Sequence, residues 1–222
     1  MYDQLNTTTP VLSSPIYDAS TNEDVAYSYN ASQHFSDTDT LTYSATLSNG
    51  SALPSWLTIS SASGLLSGTP ENGDVGTIAI KVTTTDANSV SIFDTYTLTV
   101  NNTNDTPVIS TTISDASAYE DTAYSYNTSS NFRDADGDTL TYSATLSSSS
   151  ALPSWLSINS ATGILSGTPA NTDIGAINVT VTATDANSAS IFDIYNLTVN
   201  NVNYDPTGSV TIAGTAKTGQ TL

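Results

Sequence analysis

Acidic side chains recur in clusters along this sequence, and clustered carboxylates are the groups that could do chemistry here. The clusters are Glu23-Asp24 and Glu120-Asp121, then Asp37 and Asp39 with their counterparts Asp134, Asp136 and Asp138, then Asp86 and Asp185 in a later turn. Calcium takes about six to eight oxygen ligands, mostly carboxylates and carbonyls, in a tolerant geometry. Because the clusters recur and the net charge is −18, calcium binding is favoured over a set of solvated acidic turns.

The string Asp134-Ala135-Asp136-Gly137-Asp138 carries the most local information. Its alternate side chains converge when the glycine lets the loop fold sharply, which suits a large oxygen-liganded cation. The competing interpretation is a plain acidic turn, since Asp and Asn favour turns in any protein.

These clusters are positioned by a unit that occurs twice. Trp56 and Trp155 lie 99 positions apart, and Ser67-Gly68-Thr69-Pro70 returns as Ser166-Gly167-Thr168-Pro169 at the same offset. A repeat of roughly 100 residues is the size of a small domain and longer than a solenoid unit. A chain of such beads points to reach, adhesion or spacing rather than to catalysis.

Repeat boundaries follow from these offsets. We expect an N-terminal segment at residues 1–9, a first repeat at 10–105 and a second repeat at 106–205. Residues 206–222 read as the start of a further Ig-like repeat or as a strand that completes a neighbouring molecule. Both ends look cut, so we expect a piece of a longer chain.

Alternating apolar and polar residues predict short strands in both repeats. Inward rows are expected at Ile78, Ile80 and Val82, at Tyr96, Leu98 and Val100, at Val25, Tyr27 and Tyr29, and at Leu41, Tyr43, Ala45 and Leu47. About seven strands per 100 residues, separated by turn signals, predict an all-β fold of two tandem Greek-key β-sandwiches. Trp56 and Trp155 are expected to be buried between the sheets, and a sugar-stacking platform is the lesser alternative.

Composition excludes several classes of function. Three basic residues against 21 acids cannot neutralise phosphates, so nucleic acid is excluded as a partner. Cysteine is absent, and no run of 18 apolar residues is available to span a membrane. The single histidine, His34, has Asn131 as its counterpart and is expected at the surface, so the sequence does not predict an enzyme.

A family resemblance rests on several motifs in order. They are Glu-Asp followed by Tyr-Ser-Tyr-Asn, Phe132-Arg133-Asp134-Ala135-Asp136-Gly137-Asp138, Leu-Pro-Ser-Trp-Leu, Leu-Ser-Gly-Thr-Pro, Thr-Asp-Ala-Asn and Asn-Asp-Thr-Pro. Both repeats resemble the dystroglycan-type cadherin-like domain, also described as an Ig-like repeat of bacterial surface proteins. The resemblance implies seven-stranded sandwiches with calcium at the domain junctions.

Carried over residue by residue, the resemblance implies a calcium site at the joint between the repeats. Its ligands would be Glu23 from the base of the first repeat, Asn104 and Asp105 from the joint, and Asp134, Asp136, Asp138 and Asp185 from the second repeat. The first repeat has only Asp37-Thr38-Asp39 in the matching loop, so a weaker site is expected there.

The function expected from sequence is a non-catalytic, extracellular, calcium-binding repeat module of an adhesin, stalk or fibre. The module would be secreted, from a prokaryote, with neighbouring repeats or head-to-tail copies of itself as partners. A carbohydrate-binding module attached to a polysaccharide-active protein is the alternative, and homophilic adhesion is a third possibility. An exposed aromatic row on one sheet face would favour sugar binding, whereas buried rings would oppose it.

Overall fold

A computed structural model describes residues 8–203, and within that range the chain is built mainly of β-strands joined by turns. The first repeat contains β1 Val11–Leu12, β2 Ala19–Asn22, β3 Tyr27–Asn30, β4 Phe35–Ser36, β5 Thr42–Leu47, β6 Thr58–Ile59, β7 Leu65–Gly68, β8 Gly76–Thr85 and β9 Ser91–Asn101. The second contains β10 Val108–Ile109, β11 Ala116–Tyr119, β12 Tyr124–Asn127, β13 Phe132–Arg133, β14 Thr141–Leu146, β15 Leu156–Ile158, β16 Ile164–Gly167, β17 Gly175–Thr184 and β18 Ser190–Asn200. Short 3₁₀ turns occur at Ala31–His34, Asn72–Asp74, Ser129–Asn131 and Asn171–Asp173.

Each repeat is a sandwich of two sheets with a small accessory pair. In the first repeat a four-stranded sheet runs β2-β9-β8-β5, a three-stranded sheet runs β3-β7-β6, and β1 pairs with β4. The second repeat has the same three sheets, in the orders β11-β18-β17-β14, β12-β16-β15 and β10-β13. Strand β2 pairs with β9 in parallel, as β11 does with β18, and every other pair is antiparallel. The prediction of two tandem all-β sandwiches is confirmed.

The core lies between the two sheets, where the predicted rows meet. Ile80 and Val82 of β8 are fully buried, and Leu98 of β9 is buried beside them. Leu66 of β7 closes the core from the opposite sheet. Burying a side chain of this size stabilises the fold by about 1.5–3 kcal/mol. The rows predicted on β8 and β9 are therefore the buried faces of their strands.

One predicted row begins too early. Val25 was expected to face inward, but its side chain is 51% exposed and the strand starts at Tyr27. The backbone of Asp24 has a φ of +56°, and its N–H donates to the carbonyl of Pro70. The chain therefore turns at Asp24, and Val25 lies outside the ladder.

The tryptophans lie at the border of each core and are half-buried, not buried as predicted. The Trp56 ring meets Tyr27 edge to face at 6.5 Å between centroids, and Trp155 meets Tyr124 in the same way at 6.3 Å. Both rings pack against the buried clusters. Full burial fails because each Trp precedes a short strand at the margin of the small sheet, and part of its surface stays in contact with solvent.

Carboxylates hold the start of each repeat against the last strand. Asp94 accepts the N–H of Ile16 at 2.8 Å and that of Thr95 at 2.8 Å, while Asp18 accepts the N–H of Thr97 at 2.7 Å. Equivalent bonds in the second repeat join Asp193 to Ile113 and Ile194, and Asp115 to Asn196. These acids satisfy backbone donors along the stretch of β9 and β18 that has no strand partner on that side.

Backbone contacts divide the chain into two compact units. Of residues 8–203, the first comprises those up to Thr106 together with Asp134–Asp138, and the second comprises Pro107–Arg133 with those from Thr139 onward. The boundaries 1–9, 10–105 and 106–205 remain predictions. The expected further repeat or exchanged strand at 206–222 lies outside the described residues. Within residues 8–203, no helix has the length and apolar character needed to cross a bilayer.

Candidate cation site

Glu23 is a buried carboxylate of the first repeat. It directly follows β2, and its side chain is 1% exposed. Its N–H donates to the Asn101 carbonyl at 3.0 Å, and its Oε1 accepts the N–H of Thr103 at 2.7 Å. Its Oε2 is buried and has no hydrogen-bond partner. Burying a charge is costly unless it is paired or coordinates a metal, so this oxygen is available for a cation.

The second repeat reproduces this arrangement. Glu120 is also 1% exposed, its N–H donates to Asn200 at 3.1 Å, and its Oε1 accepts the N–H of Val202 at 2.8 Å. Its Oε2 likewise lacks a partner. The same geometry therefore arises twice from two separate stretches of sequence.

The turn after β8 holds a second buried acid. Asp86 is 5% exposed, and its Oδ1 accepts the N–H groups of Asn88 and Val90, both at 2.8 Å. Its Oδ2 is buried without a hydrogen-bond partner. Asp185 is also 5% exposed and accepts the N–H of Ala189 at 2.8 Å. These acids close the β8–β9 and β17–β18 turns, and in Asp86 one oxygen is left over.

Residues Asp134–Asp138 form a loop that groups with the first unit. Asp134 Oδ1 accepts the N–H of Asp136 at 2.9 Å and, more weakly, that of Asp138 at 3.4 Å. These bonds curl the loop around Asp134, whose Oδ2 is buried without a partner. The sharp fold expected from Asp-X-Asp-Gly-Asp is therefore present, with Gly137 at a φ of +77°.

Asp136 connects this loop to other parts of the same unit. Its Oδ2 accepts the N–H of Asp105 at 2.7 Å, and its Oδ1 accepts a bond from Asn72 Nδ2 at 3.0 Å. Asn104 directly precedes Asp105 in the chain and donates from Nδ2 to the Asp105 carbonyl at 3.1 Å. The structure thus brings together the predicted residues Asn104, Asp105 and Asp136, with Asp134 in the same loop.

Two predicted ligands are not joined to this group by the bonds described above. Glu23 binds Thr103, which directly precedes Asn104 in the chain. Asp185 belongs to the second unit. Among residues 8–203, no three or more acidic or histidine side chains lie close enough together to hold a metal ion by themselves.

The matching loop of the first repeat has a similar hydrogen-bond pattern. Asp37 Oδ1 accepts the N–H of Asp39 at 2.9 Å and the hydroxyl of Thr8 at 2.8 Å, and these bonds lower the pKa of Asp37, the backbone N–H contributing most. Its Oδ2 has no partner. Asp39 accepts a bond from Asn88 Nδ2 at 3.1 Å. This loop is therefore as well formed as its counterpart, although it lacks the Gly-Asp extension.

The donor set fits calcium better than a softer metal. In the described part of the chain, the buried side-chain oxygens without a hydrogen-bond partner comprise the hydroxyls of two threonines and one carboxylate oxygen from each of five acids, Glu23, Asp37, Asp86, Glu120 and Asp134. Carboxylate and carbonyl oxygens suit Ca²⁺, whereas zinc and copper sites use sulfur and nitrogen. A calcium site built from these residues would also need carbonyl or amide oxygens, because the carboxylates alone do not form a compact group.

Sequence reasoning missed the partners of these acids. Asn72 and Thr103 lie in segments that read only as turn and linker, and Thr103 contributes its backbone N–H, which no residue type reveals. Asn72 could have been found, because its counterpart Asn171 recurs at the same offset.

His34 was also misplaced by the sequence interpretation. It is half-buried, with Nδ1 3.0 Å from the Ser14 hydroxyl and Nε2 2.8 Å from the Tyr29 hydroxyl. Its ring stacks on Tyr29 with centroids 5.9 Å apart. In the second repeat Asn131 likewise binds the entry segment, because its Nδ2 donates to the carbonyls of Thr111 and Thr112. His34 therefore anchors the entry segment of the repeat and is not a plain surface residue.

Comparison with solved structures shows the fold. The chain is similar to mouse cadherin-23 EC22-24, with 18% identity and a TM-score of 0.57 over 87% of this chain and 65% of that one. It is also similar to domains 3–6 of protocadherin gamma B2, with 17% identity and a TM-score of 0.53 over 89% of this chain and 54% of that one. An endo-fucoidan hydrolase of glycoside hydrolase family 107 shares 25% identity, with a TM-score of 0.39 over 91% of this chain and 30% of that one. The chain thus spans less than two thirds of each of these proteins.

Comparison of the sequence identifies the family. No curated protein matches the chain. Residues 9–101 and residues 106–200 each match the family described as Putative Ig domain. Together with the cadherin-like fold of both sandwiches, these matches show that the chain belongs to the Putative Ig domain family and carries two tandem copies of the domain.

Proposed function

We propose that this chain is a non-catalytic, extracellular repeat module that binds calcium through its acidic clusters. The observation that carries the proposal is the pair of buried glutamates, Glu23 and Glu120. Each is 1% exposed, uses one oxygen to hold the backbone that leaves its repeat, and keeps the other oxygen without a partner. An anionic oxygen buried in this way is stabilised by a bound cation.

Calcium would act on the segment that follows β9. Thr103 is already tied to Glu23, and Asp105 is tied to Asp136. We propose that Glu23, Asn104, Asp105, Asp134, Asp136, Asp138 and Asp185 supply oxygens to bound calcium, which would restrict the joint between the repeats. The role that follows is that of a stiff spacer in a secreted adhesin, stalk or fibre of a prokaryotic surface, with neighbouring repeats as partners.

Sugar binding is less well supported. Most of the described tyrosines are buried or half-buried, and both tryptophans pack against their cores. The exposed rings Tyr17, Phe93, Tyr119 and Phe192 amount to two per repeat. Phe93 is additionally covered by the ammonium of Lys81, 5.6 Å from the ring centroid. Two exposed rings per repeat among residues 8–203 are few for the extended aromatic row that a sugar platform would need.

Calcium binding is tested by titrating the chelator-treated chain by calorimetry. Extracellular calcium modules bind at about 10⁻⁴–10⁻³ M, and we expect that range here. Glu23→Gln should weaken binding, whereas Asp24→Asn is a control, because Asp24 is the exposed neighbour of Glu23. At calcium about 100-fold above Kd, binding should stabilise the chain by roughly 2.7 kcal/mol.

The mechanical part of the proposal needs a separate measurement. Small-angle scattering with calcium and with chelator should give a longer, stiffer particle when calcium is bound. Absence of binding at millimolar calcium, or equal affinity of Glu23→Gln and the parent chain, would overturn the calcium site. Binding without any change in maximum dimension would leave the site intact and refute the stiffening of the joint.

A further inference from the structure

The turn that follows β5 presents an Asn-Gly pair to solvent. Asn49 and Gly50 are both exposed, and Gly50 has a φ of +88° with no atom within 4 Å of the place where a Cβ would lie. The Oδ1 of Asn49 accepts the N–H of Ser51 at 2.9 Å. The side-chain amide is therefore folded forward along its own backbone, over the peptide unit that joins it to Gly50.

This arrangement favours attack by the backbone on the side chain. The N–H of Ser51 donates to the oxygen on which negative charge develops when a nucleophile adds to the Asn49 amide carbon, and fixed donors of this kind stabilise such charge. The nucleophile is the nitrogen of Gly50, which belongs to the peptide bond that follows Asn49, so the attack is intramolecular and closes a five-membered ring. No side chain on residue 50 obstructs the approach.

We infer that Asn49 is a site of spontaneous deamidation in the folded protein. The Gly50 nitrogen forms a bond to Cγ of Asn49, and the bond from Cγ to Nδ2 breaks. Ammonia leaves with the proton given up by Gly50, and a five-membered succinimide remains. Water then opens the ring at either carbonyl, which yields aspartate or isoaspartate at position 49 without any redox partner.

One hydrogen bond within the turn limits the rate of this reaction. The N–H of Gly50 donates to the Leu47 carbonyl at 2.9 Å, so the turn must open before this nitrogen can lose its proton and attack. Exposed turns open locally at low free energy compared with core strands. The rate of the reaction therefore reports how often this turn opens.

A second Asn-Gly pair serves as an internal comparison. Asn72 lies in a 3₁₀ turn, is half-buried, and donates from Nδ2 to Asp136 Oδ1 at 3.0 Å. Its carbonyl accepts the N–H of Val75 at 3.4 Å. Here the leaving amide is held by a carboxylate and the backbone is helical, so Asn72 is protected.

The product changes the turn in two ways. Aspartate adds a negative charge to a chain whose net charge is already −18. Isoaspartate also lengthens the backbone within the loop that the Leu47 N–H closes by donating to the Ser51 carbonyl at 2.9 Å. Each modified molecule thus carries an irreversible chemical record of its age in this turn.

The test is incubation of the full chain at mildly alkaline pH, followed by peptide mass spectrometry that resolves aspartate from isoaspartate. We expect Asn49 to lose its amide about tenfold faster than Asn72, which corresponds to a barrier difference of about 1.4 kcal/mol. Gly50→Ser should suppress the reaction, since the matching turn of the second repeat has Ser149 at a φ of +65° and tolerates serine.

The matching turn of the second repeat allows a new deamidation site to be introduced by substitution. Ser149 donates to Leu146 at 2.8 Å and Leu146 donates to Ser150 at 2.9 Å, the same bonds as in the first turn. The double substitution Ser148→Asn with Ser149→Gly should therefore create a second reactive site. Equal rates at Asn49 and Asn72, or an unreactive Asn at position 148 in the folded double variant, would overturn the inference.

Discussion

A single methyl group added at Gly68 should strongly destabilise the first repeat. A Cβ built at this position would lie 1.7 Å from the carbonyl oxygen of Trp56 and 2.8 Å from its carbonyl carbon. Unbonded carbon and oxygen atoms come no closer than about 3.3 Å, so Gly68→Ala must separate the two backbones by roughly 1.6 Å. Neither atom belongs to a flexible side chain, so no rotamer change can relieve the contact.

The loss of stability follows from the contacts that this separation of the backbones would disrupt. Gly68 pairs with Tyr27 in the small sheet, and Trp56 leads into the buried Leu57. Overpacking costs about 1–3 kcal/mol and occasionally more, and a backbone obstacle places Gly68→Ala near 3 kcal/mol. For a domain of this size that loss lowers Tm by roughly 12–24 °C.

Calorimetry of the full chain provides the assay. Gly167→Ala should destabilise the second repeat equally, because its Cβ would lie 1.6 Å from the Trp155 carbonyl oxygen. Gly73→Ala is the matched control, since a Cβ there meets nothing within 4 Å, and its effect should stay within about 0.5 kcal/mol. A Tm lowered by less than about 4 °C in Gly68→Ala would show that the two backbones separate easily and that their close approach is not rigid.

Two further outcomes are expected. Asp94→Ala leaves the N–H groups of Ile16 and Thr95 without their acceptor and should cost about 1–3 kcal/mol in chemical denaturation, with Asp94→Asn less harmful because it keeps an acceptor oxygen. Burial raises the pKa of Tyr27 and Tyr96, so the folded state keeps protons that the unfolded chain releases near pH 10. Stability should therefore fall as pH rises above about 10, and tyrosinate absorbance should appear together with unfolding; ionisation of all tyrosines in a folded chain would contradict this.

Much of the fold could be predicted from sequence because strand periodicity and turn chemistry act locally. Ile80 and Val82 lie in the core as expected, since a period of two fixes which face of β8 is buried. Val25 was predicted wrongly because the start of a strand depends on a turn, and the positive φ of Asp24 is not visible in the pattern. Trp56 was predicted wrongly because residue size indicates burial but not position within the sheet.

The candidate site could be predicted less completely. The recurrence of acids identifies Glu23 from sequence alone, since a charge repeated at one place in two domains has a structural reason there. The partner of Glu23 is the backbone N–H of Thr103, and main-chain donors leave no trace in residue type. The link from Asn72 to Asp136 joins residues 64 positions apart, a distance over which local patterns carry no information.

The parallel pairing of β2 with β9 has a mechanical consequence. Strand β2, near the start of the repeat, runs alongside β9, its last strand, from Ala19 opposite Leu98 to Asn22 opposite Asn101, and both point the same way. A load applied between the two ends of the repeat pulls these strands past each other, so their hydrogen bonds are sheared together rather than peeled one by one. Each domain can thus resist tension along the chain before its hydrophobic core opens.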